Sequence, residues 1–222
     1  MNNFTFNLYE YQVFSYFKTI YLLLIYKCII MKVNLNPKTM MFPAPAVVVS
    51  AYDENGNADC CTLAFAAMCS HHPPAVMIAI NTTLNRKTLK SILYSNEFVL
   101  AFPSVEHGAE TDYIGIASGY DTNKLEDVGF TFKDAEKVNA PIINEFKISL
   151  ECRVMHTAEV GSHTQITGEI VNVQAEEDVL NEKGKISYEK LNPLCYDDVS
   201  HSYFEIGDFI GKAFKIGLKY RK

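Results

Sequence analysis

Residues 147–175 read KISLECRVMHTAEVGSHTQITGEIVNVQA, and this stretch decides the fold class. Lys147 to Val160 and His163 to Ala175 are two long runs of strand character around Gly161-Ser162, which predicts a β-hairpin. Working outward, the same texture recurs upstream. Ala46-Val-Val-Val-Ser-Ala-Tyr52 is short and β-branched, and Asp53-Glu-Asn-Gly56 after it carries the Asn-Gly signal of a tight turn. The chain returns as Asn57 to Met68, small and apolar at nearly every position, so this strand requires cover on both faces. Pro73-Pro74 ends it, and Ala75 to Ile80 and Glu97 to Phe102 read as further strands.

Helical signals are few. Leu89, Ile92 and Leu93 have helical spacing within Thr88 to Leu93, behind a polar start at Asn85. Ser104 to Phe132, stopped by Gly115, Gly119 and Gly129, reads as helices and loops inserted beside the strands. The lead-in from Pro37 to Pro45 cannot be helix. A polar segment, Glu176 to Lys190, leads to a tail with Tyr196, Tyr203, Phe204, Phe209, Phe214 and Tyr220. Mostly antiparallel strands with few helices predict a closed barrel.

Composition narrows the partners. A formal net charge of -6 with 21% charged residues and no dense Lys/Arg stripe argues against nucleic acid. The six cysteines, at 28, 60, 61, 69, 152 and 195, form no C-x-x-C pair, which fits free thiols in a reducing cytoplasm. Cys60, Cys61, Cys69, His71 and His72 crowd one stretch, but without the gaps of paired zinc ligands, so no metal is assigned.

Residues 1–30 differ in texture. They contain no Gly, Pro or Ala and are dominated by residues with A/T-rich codons. The apolar run Thr19 to Tyr26 lacks a basic segment before Lys18 and a small-residue cleavage site after it. Between Lys18 and Lys27 it is also shorter than the roughly 17 apolar residues a membrane helix needs. The expectation is an N-terminal extension, with Met31 as the natural start and 31–222 as the domain; a weak membrane anchor is the alternative reading of residues 1–30.

The order of these signals resembles the flavin reductase-like proteins with an FMN-binding split barrel, which include flavoredoxins and small flavin reductases. The matching letters are Val49-Ser50, Gly56-Asn57, Thr62-Leu63-Ala64, Ser70, Pro73-Pro74, Arg86-Lys87-Thr88, Glu97-Phe98-Val99 and Gly161-Ser162-His163. Tyr203-Phe204-Glu205-Ile206-Gly207 and Gly211-Lys212-Ala213-Phe214 match the family's ending. The resemblance covers about Asn34 to Lys219. Two positions depart from it: His72 stands where an acidic residue is frequent, and Ser162 where Gly-Asp-His is commoner.

The resemblance implies a mostly β split barrel of antiparallel Greek-key type with a helical insertion, holding FMN. A helix N-terminus offers backbone N–H groups and a positive dipole end to the FMN phosphate. Arg86 would add a charge-assisted fork, Thr88 a hydroxyl, and Asn85 either a helix cap or a contact to the ribityl chain. Thr62, Leu63 and Ala64 would approach the edge of the flavin ring, with Ser70 near it. His163, whose family counterpart lies by the flavin or nicotinamide, is the catalytic candidate. The other five histidines, His201 among them, receive no role. NAD(P)H would be the electron donor, without a dinucleotide fold because no G-x-G-x-x-G follows a strand. The alternative is an electron-carrier module reduced by a redox partner protein. The family further implies a homodimer.

Overall fold

The computed structural model describes residues 15–21 and 32–221, which fall into two compact units divided between Lys38 and Thr39. In the first unit residues 15–21 are helical. Most of the expected extension, including the larger part of the Thr19–Tyr26 run and Met31, lies outside the described residues. Among the described residues no helix is long and apolar enough to cross a membrane.

The second unit is mostly β. Its strands are β1 (Ala44–Pro45), β2 (Val47–Tyr52), β3 (Ala58–Leu63), β4 (Ala66–His71), β5 (Pro74–Asn81), β6 (Glu97–Ala101), β7 (Phe132–Asp134), β8 (Pro141–Ile143), β9 (Ile148–Val160), β10 (His163–Ala175), β11 (Cys195–Asp197) and β12 (Ser202–Phe204). Seven of them form one antiparallel sheet in the order β3-β2-β6-β9-β10-β5-β4. The 147–175 hairpin is β9 and β10, turning at Gly161 with φ 58°.

The expected single strand Asn57 to Met68 is two strands. Its chain bends at Ala64-Phe65, so β3 and β4 occupy opposite edges of the sheet while remaining consecutive in sequence. Phe65 O accepts a hydrogen bond from Ala79 N (2.9 Å), which ties the bend to β5. The two edge strands do not pair with each other; the chain itself bridges the gap, and the barrel is split at that corner.

Side-chain alternation sorts the core into two layers. Val47, Val49 and Ala51 of β2 pack inside the barrel with Ile78, Phe98 and Ile166. Val48 faces the other way and packs with Cys60, Ile114, Leu125 and Phe146 beneath the insertion. β2 is therefore covered on both faces, which explains the run Val47-Val48-Val49; its one buried hydroxyl, Ser50 Oγ, donates to Pro141 O (2.6 Å). Gly168 on β10 leaves room for the Phe98 ring, since a Cβ there would lie 2.6 Å from Phe98 Cζ.

The helix Lys87–Ser95 packs Leu89 and Ile92 against the inner layer and ends at Asn96, whose left-handed φ of 58° directs its N–H to Ile92 O. The insertion contains helices Gly108–Ile116 and Lys124–Asp127; Gly119 and Gly129 lie past their ends, whereas Gly115, expected as a stop, lies within the first helix. The β7–β8 pair and the small sheet β1-β11-β12 were not legible, because their strands are only two or three residues long.

The loop between β7 and β8 is fastened to the barrel by two carboxylates: Glu97 Oε2 accepts from Asn139 N (2.7 Å), and Glu151 holds it from beneath. Glu151 is fully buried on β9 and accepts from Lys137 N (2.6 Å), Asn172 Nδ2 (2.7 Å) and Gln174 Nε2 (2.8 Å). Burial alone pushes its pKa up; the Lys137 N–H and the two amides outweigh that and hold the carboxyl below its ordinary 4.5. The resulting stabilisation is fully present above pH 4.5 and is lost as pH falls through the lower folded-state value. Glu151→Gln should destabilise the fold by about 1.5–3 kcal/mol at pH 7, the scale of hydrogen bonds to a charged group, in urea unfolding. The gap to wild type should narrow below pH 4.5. A deficit that stays constant down to pH 3 would mean that shape rather than charge makes the contact.

Candidate functional site

The bend that splits the barrel also opens a cavity of about 370 Å³, within the roughly 300–1,000 Å³ of small-molecule sites. Thr62, Leu63, Ala64 and Phe65 line it where β3 turns into β4, and Ala79 to Asn81 line it from β5. Arg86 enters at the start of the helix Lys87–Ser95, and His163 at the start of β10. The facing wall comes from Asp112, Gly115 and Ile116 of the helix Gly108–Ile116, and from Tyr196, Asp198, His201 and Tyr203.

Small residues make this space. Gly115 stands against Thr62, where a Cβ would come within 3.2 Å of Thr62 Cβ. Thr62 Oγ1 donates to Thr111 O (2.5 Å), fixing the end of β3 to that helix. As a terminal strand, β3 leaves one edge of its backbone without a strand partner among the described residues.

Arg86 occupies the N-cap position of its helix, with extended backbone (φ -68°, ψ 121°) and no side-chain cap. Asn85 therefore does not cap the helix; it precedes the cap with φ 45° and lines a smaller adjoining recess with Lys87, Gly119 and Lys124. Arg86 Nη1 reaches across to Ala117 O (3.3 Å). His163 lies nearly parallel to Phe65, with centroids 5.1 Å apart and 23° between planes, and its Nδ1 is 3.0 Å from Ser162 Oγ.

The structure thus brings Thr62, Leu63, Ala64, Arg86 and His163 to one cavity. Ser70 sits away from it, on β4 opposite Ala75. Thr88 is fully buried under the first helical turn, and its hydroxyl donates to Asp59 Oδ2 (2.5 Å). Asp59 pairs with Lys124 Nζ at 3.0 Å, both side chains at most 4% exposed, and Lys124 Nζ also donates to Cys60 O. Gly119 closes over this pair, where a Cβ would lie 2.2 Å from Asp59 Oδ1. Beside it, burial works against the Asp53 carboxylate, but N–H groups of Asn57 and Asn55 and the Lys87 ammonium (3.1 Å) draw its pKa down to about 2. The neighbouring thiols are quiet: burial pushes Cys61 up to about 11 and Cys60 higher still.

The sequence reading missed the facing wall. Tyr203 Oη donates to Asp112 Oδ1 (3.1 Å), while Tyr196 Oη lies 2.8 Å from His201 Nδ1. Burial first, then the carboxylate of Asp112, pushes the Tyr203 phenol well above its usual value; Tyr196 is raised by burial and by Asp198, Asp112 and Asp197. The available signal was Asp197-Asp198 and His201 set between two tyrosines, read only as an aromatic tail.

A family model described as the flavin reductase like domain matches residues 39–204. Among solved structures, the chain is similar to flavoredoxin of Desulfovibrio vulgaris (Miyazaki F), with TM-score 0.79 and 32% identity over 84% of this chain and 100% of that one. It is also similar to flavoredoxin from Methanosarcina acetivorans, with TM-score 0.79 and 28% identity over 85% and 98% of the two chains. A relative from Aquifex aeolicus (strain VF5), itself uncharacterized, is 28% identical over 159 residues, 70% of this chain and 81% of its own.

Removing one partner of the buried pair strands the other. Lys124→Met should cost about 3–5 kcal/mol of unfolding free energy, since Asp59 is left charged and buried with only the Thr88 hydroxyl. Asp59→Asn with Lys124→Met should recover much of that loss. Denaturant midpoints measure both, and a single variant as stable as wild type would remove the pair from its structural role.

Proposed function

The chain belongs to the flavin reductase like domain family, and from that premise we propose that residues 31–222 form an FMN-binding oxidoreductase domain that passes electrons from NAD(P)H to free flavin or to an acceptor. The observation that carries this reading is the convergence of Thr62-Leu63-Ala64, Arg86 and His163 on one cavity built at the split of the barrel. The donor set suits FMN. Arg86 and the first N–H groups of the Lys87–Ser95 helix would hold the phosphate, with Asn85 at the adjoining recess. The unpaired edge of β3, flanked by Ala64 and Gly115, would let backbone groups approach a flat ring. Thr88 would act from beneath, through Asp59, by fixing the helix start; Ser70 has no contact to offer at this cavity.

When bound, FMN would supply the two-electron chemistry. The chain's own residues position and tune: Arg86 binds, Thr62 fixes the ring-side strand, and His163, stacked on Phe65 at the rim, orients the donor. We propose a cytoplasmic homodimer. Free thiols at Cys60, Cys61, Cys69, Cys152 and Cys195 support the compartment, and exposed Phe204, Phe209, Ile210 and Phe214 support self-association. A strictly monomeric species in sedimentation that still holds FMN at micromolar concentration would sink the dimer.

An electron-carrier role, with reduction by a partner protein, is favoured by the similarity to two flavoredoxins and by Asp112 and Asp198 on the cavity wall, which repel a phosphate-rich donor.

Two measurements test these readings, the first the FMN site that both share and the second the electron donor that separates them. Arg86→Ala should weaken FMN binding by about 1.5–3 kcal/mol and riboflavin binding much less; equal losses would make Arg86 a support of the fold. Under anaerobic conditions NADH or NADPH should bleach the bound flavin without another protein, and His163→Ala should slow bleaching more than it weakens FMN binding. If dithionite bleaches promptly and neither nucleotide does so in minutes, the carrier role replaces the enzyme.

A further inference from the structure

The wall facing Arg86 carries an acid–base arrangement, from Asp112 to His201, that has no part in the FMN contacts proposed above. Tyr196 and Tyr203 are cross-strand neighbours on β11 and β12, yet their phenols have different partners. Tyr203 Oη spends its proton on Asp112 Oδ1. Tyr196 Oη meets the ring nitrogen of His201 at 2.8 Å. His201 is itself exposed to solvent, so the pair connects the cavity wall with bulk water.

The turn that carries His201 is held in an uncommon shape. His201 has φ 51°, a left-handed conformation that costs a non-glycine residue energy. Asp197 pins the turn by accepting from Val199 N (2.9 Å), Ser200 N (3.3 Å) and Ser200 Oγ (2.6 Å). Asp198 Oδ2, also at the cavity, is buried and meets no donor among the described residues.

On the reading that the cavity holds FMN, we propose that Tyr196 is a catalytic acid for a small neutral quinone acceptor and that His201 is the positioning residue that restores its proton. Reduction of a quinone to its hydroquinone adds two electrons and two protons. Reduced FMN would supply the electron pair and one hydrogen as hydride. The Tyr196 Oη–H bond breaks as the second hydroquinone O–H forms; the phenolate oxygen takes a proton from His201 Nδ1, and the exposed imidazole regains one from water. Around the pair stand Asp112 from the helix Gly108–Ile116, Asp197 and Asp198 from the turn, and Tyr203 from β12. Burial first, then these carboxylates, holds the phenol above its usual value, so its proton leaves only as the hydroquinone oxygen takes it; the same carboxylates disfavour anionic acceptors, which is why the acceptor is a neutral quinone.

The test uses the FMN-loaded protein and Tyr196→Phe and His201→Gln variants, each first checked for unchanged FMN affinity. After anaerobic reduction by limiting dithionite, reoxidation is followed with p-benzoquinone, which needs a proton, and with ferricyanide, which takes single electrons and needs none. Tyr196→Phe should slow the quinone reaction about 100-fold or more, within the usual contribution of a general acid, and leave ferricyanide within about twofold. His201→Gln should slow the quinone reaction less, with partial rescue by added imidazole. Independently of turnover, the NMR titration midpoint of His201 should move on Tyr196→Phe. Equal slowing of both acceptors, slowing of neither, or an unmoved His201 titration overturns the proposal while leaving FMN binding intact. Wild-type protein that takes up no FMN overturns the cofactor reading itself, and this proposal with it.

Discussion

The buried Asp59–Lys124 pair is the constraint on which the rest of the domain's geometry rests. A carboxylate and an ammonium at 3.0 Å, almost entirely removed from water, are costly to bury and costly to separate, so their elements have little freedom to drift apart. Asp59 belongs to β3, Lys124 to the insertion, and Thr88, which donates to Asp59, to the first turn of the long helix. Three segments distant in sequence are thereby drawn to one point behind the cavity. The start of β3, the helix behind the N-cap Arg86 and the helix Lys124–Asp127 keep their relative places because of it, while Thr62 and Thr111 join the end of β3 to the helix carrying Gly115. Gly119 shows how tight the arrangement is, since no side chain fits above the carboxylate.

The barrel was legible where local chemistry and tertiary demand agree. Gly161 and the long strands on either side specify a hairpin with no help from the rest of the chain, and β9 and β10 run as read. The bend at Ala64-Phe65 was hidden because neither residue breaks a strand; it exists because the sheet must return to its own far edge. The two-residue β1 and three-residue β7, β8, β11 and β12 carry too little pattern to be seen alone.

The site was legible in the same uneven way. Arg86, His163 and Thr62-Leu63-Ala64 were reached through the order of motifs, and the cavity collects them. The inward turn of Thr88 was not, because spacing cannot tell whether a hydroxyl in a first helical turn faces a ligand or a buried acid. Lys124 was invisible for a related reason: lysine is rarely buried, and only a carboxylate 65 positions earlier in the chain accounts for it. Tyr196 and His201 depend on a turn whose shape comes from Asp197.

The corner at Ala64-Phe65 also bears on the order in which the domain assembles. The β9–β10 hairpin is local and forms on the scale of about 1–10 μs, as hairpins do. Pairing of β5 with β10 joins Ala75 to Glu169 and must first close a long loop. The corner comes into being only when both edges of the sheet are in place, so the cavity is a property of the finished barrel and of no earlier intermediate. A ligand held there is bound by the native state alone, and its concentration shifts the folding equilibrium by mass action. The supply of that ligand in the cell would therefore help set how long each copy of the chain survives surveillance by proteases.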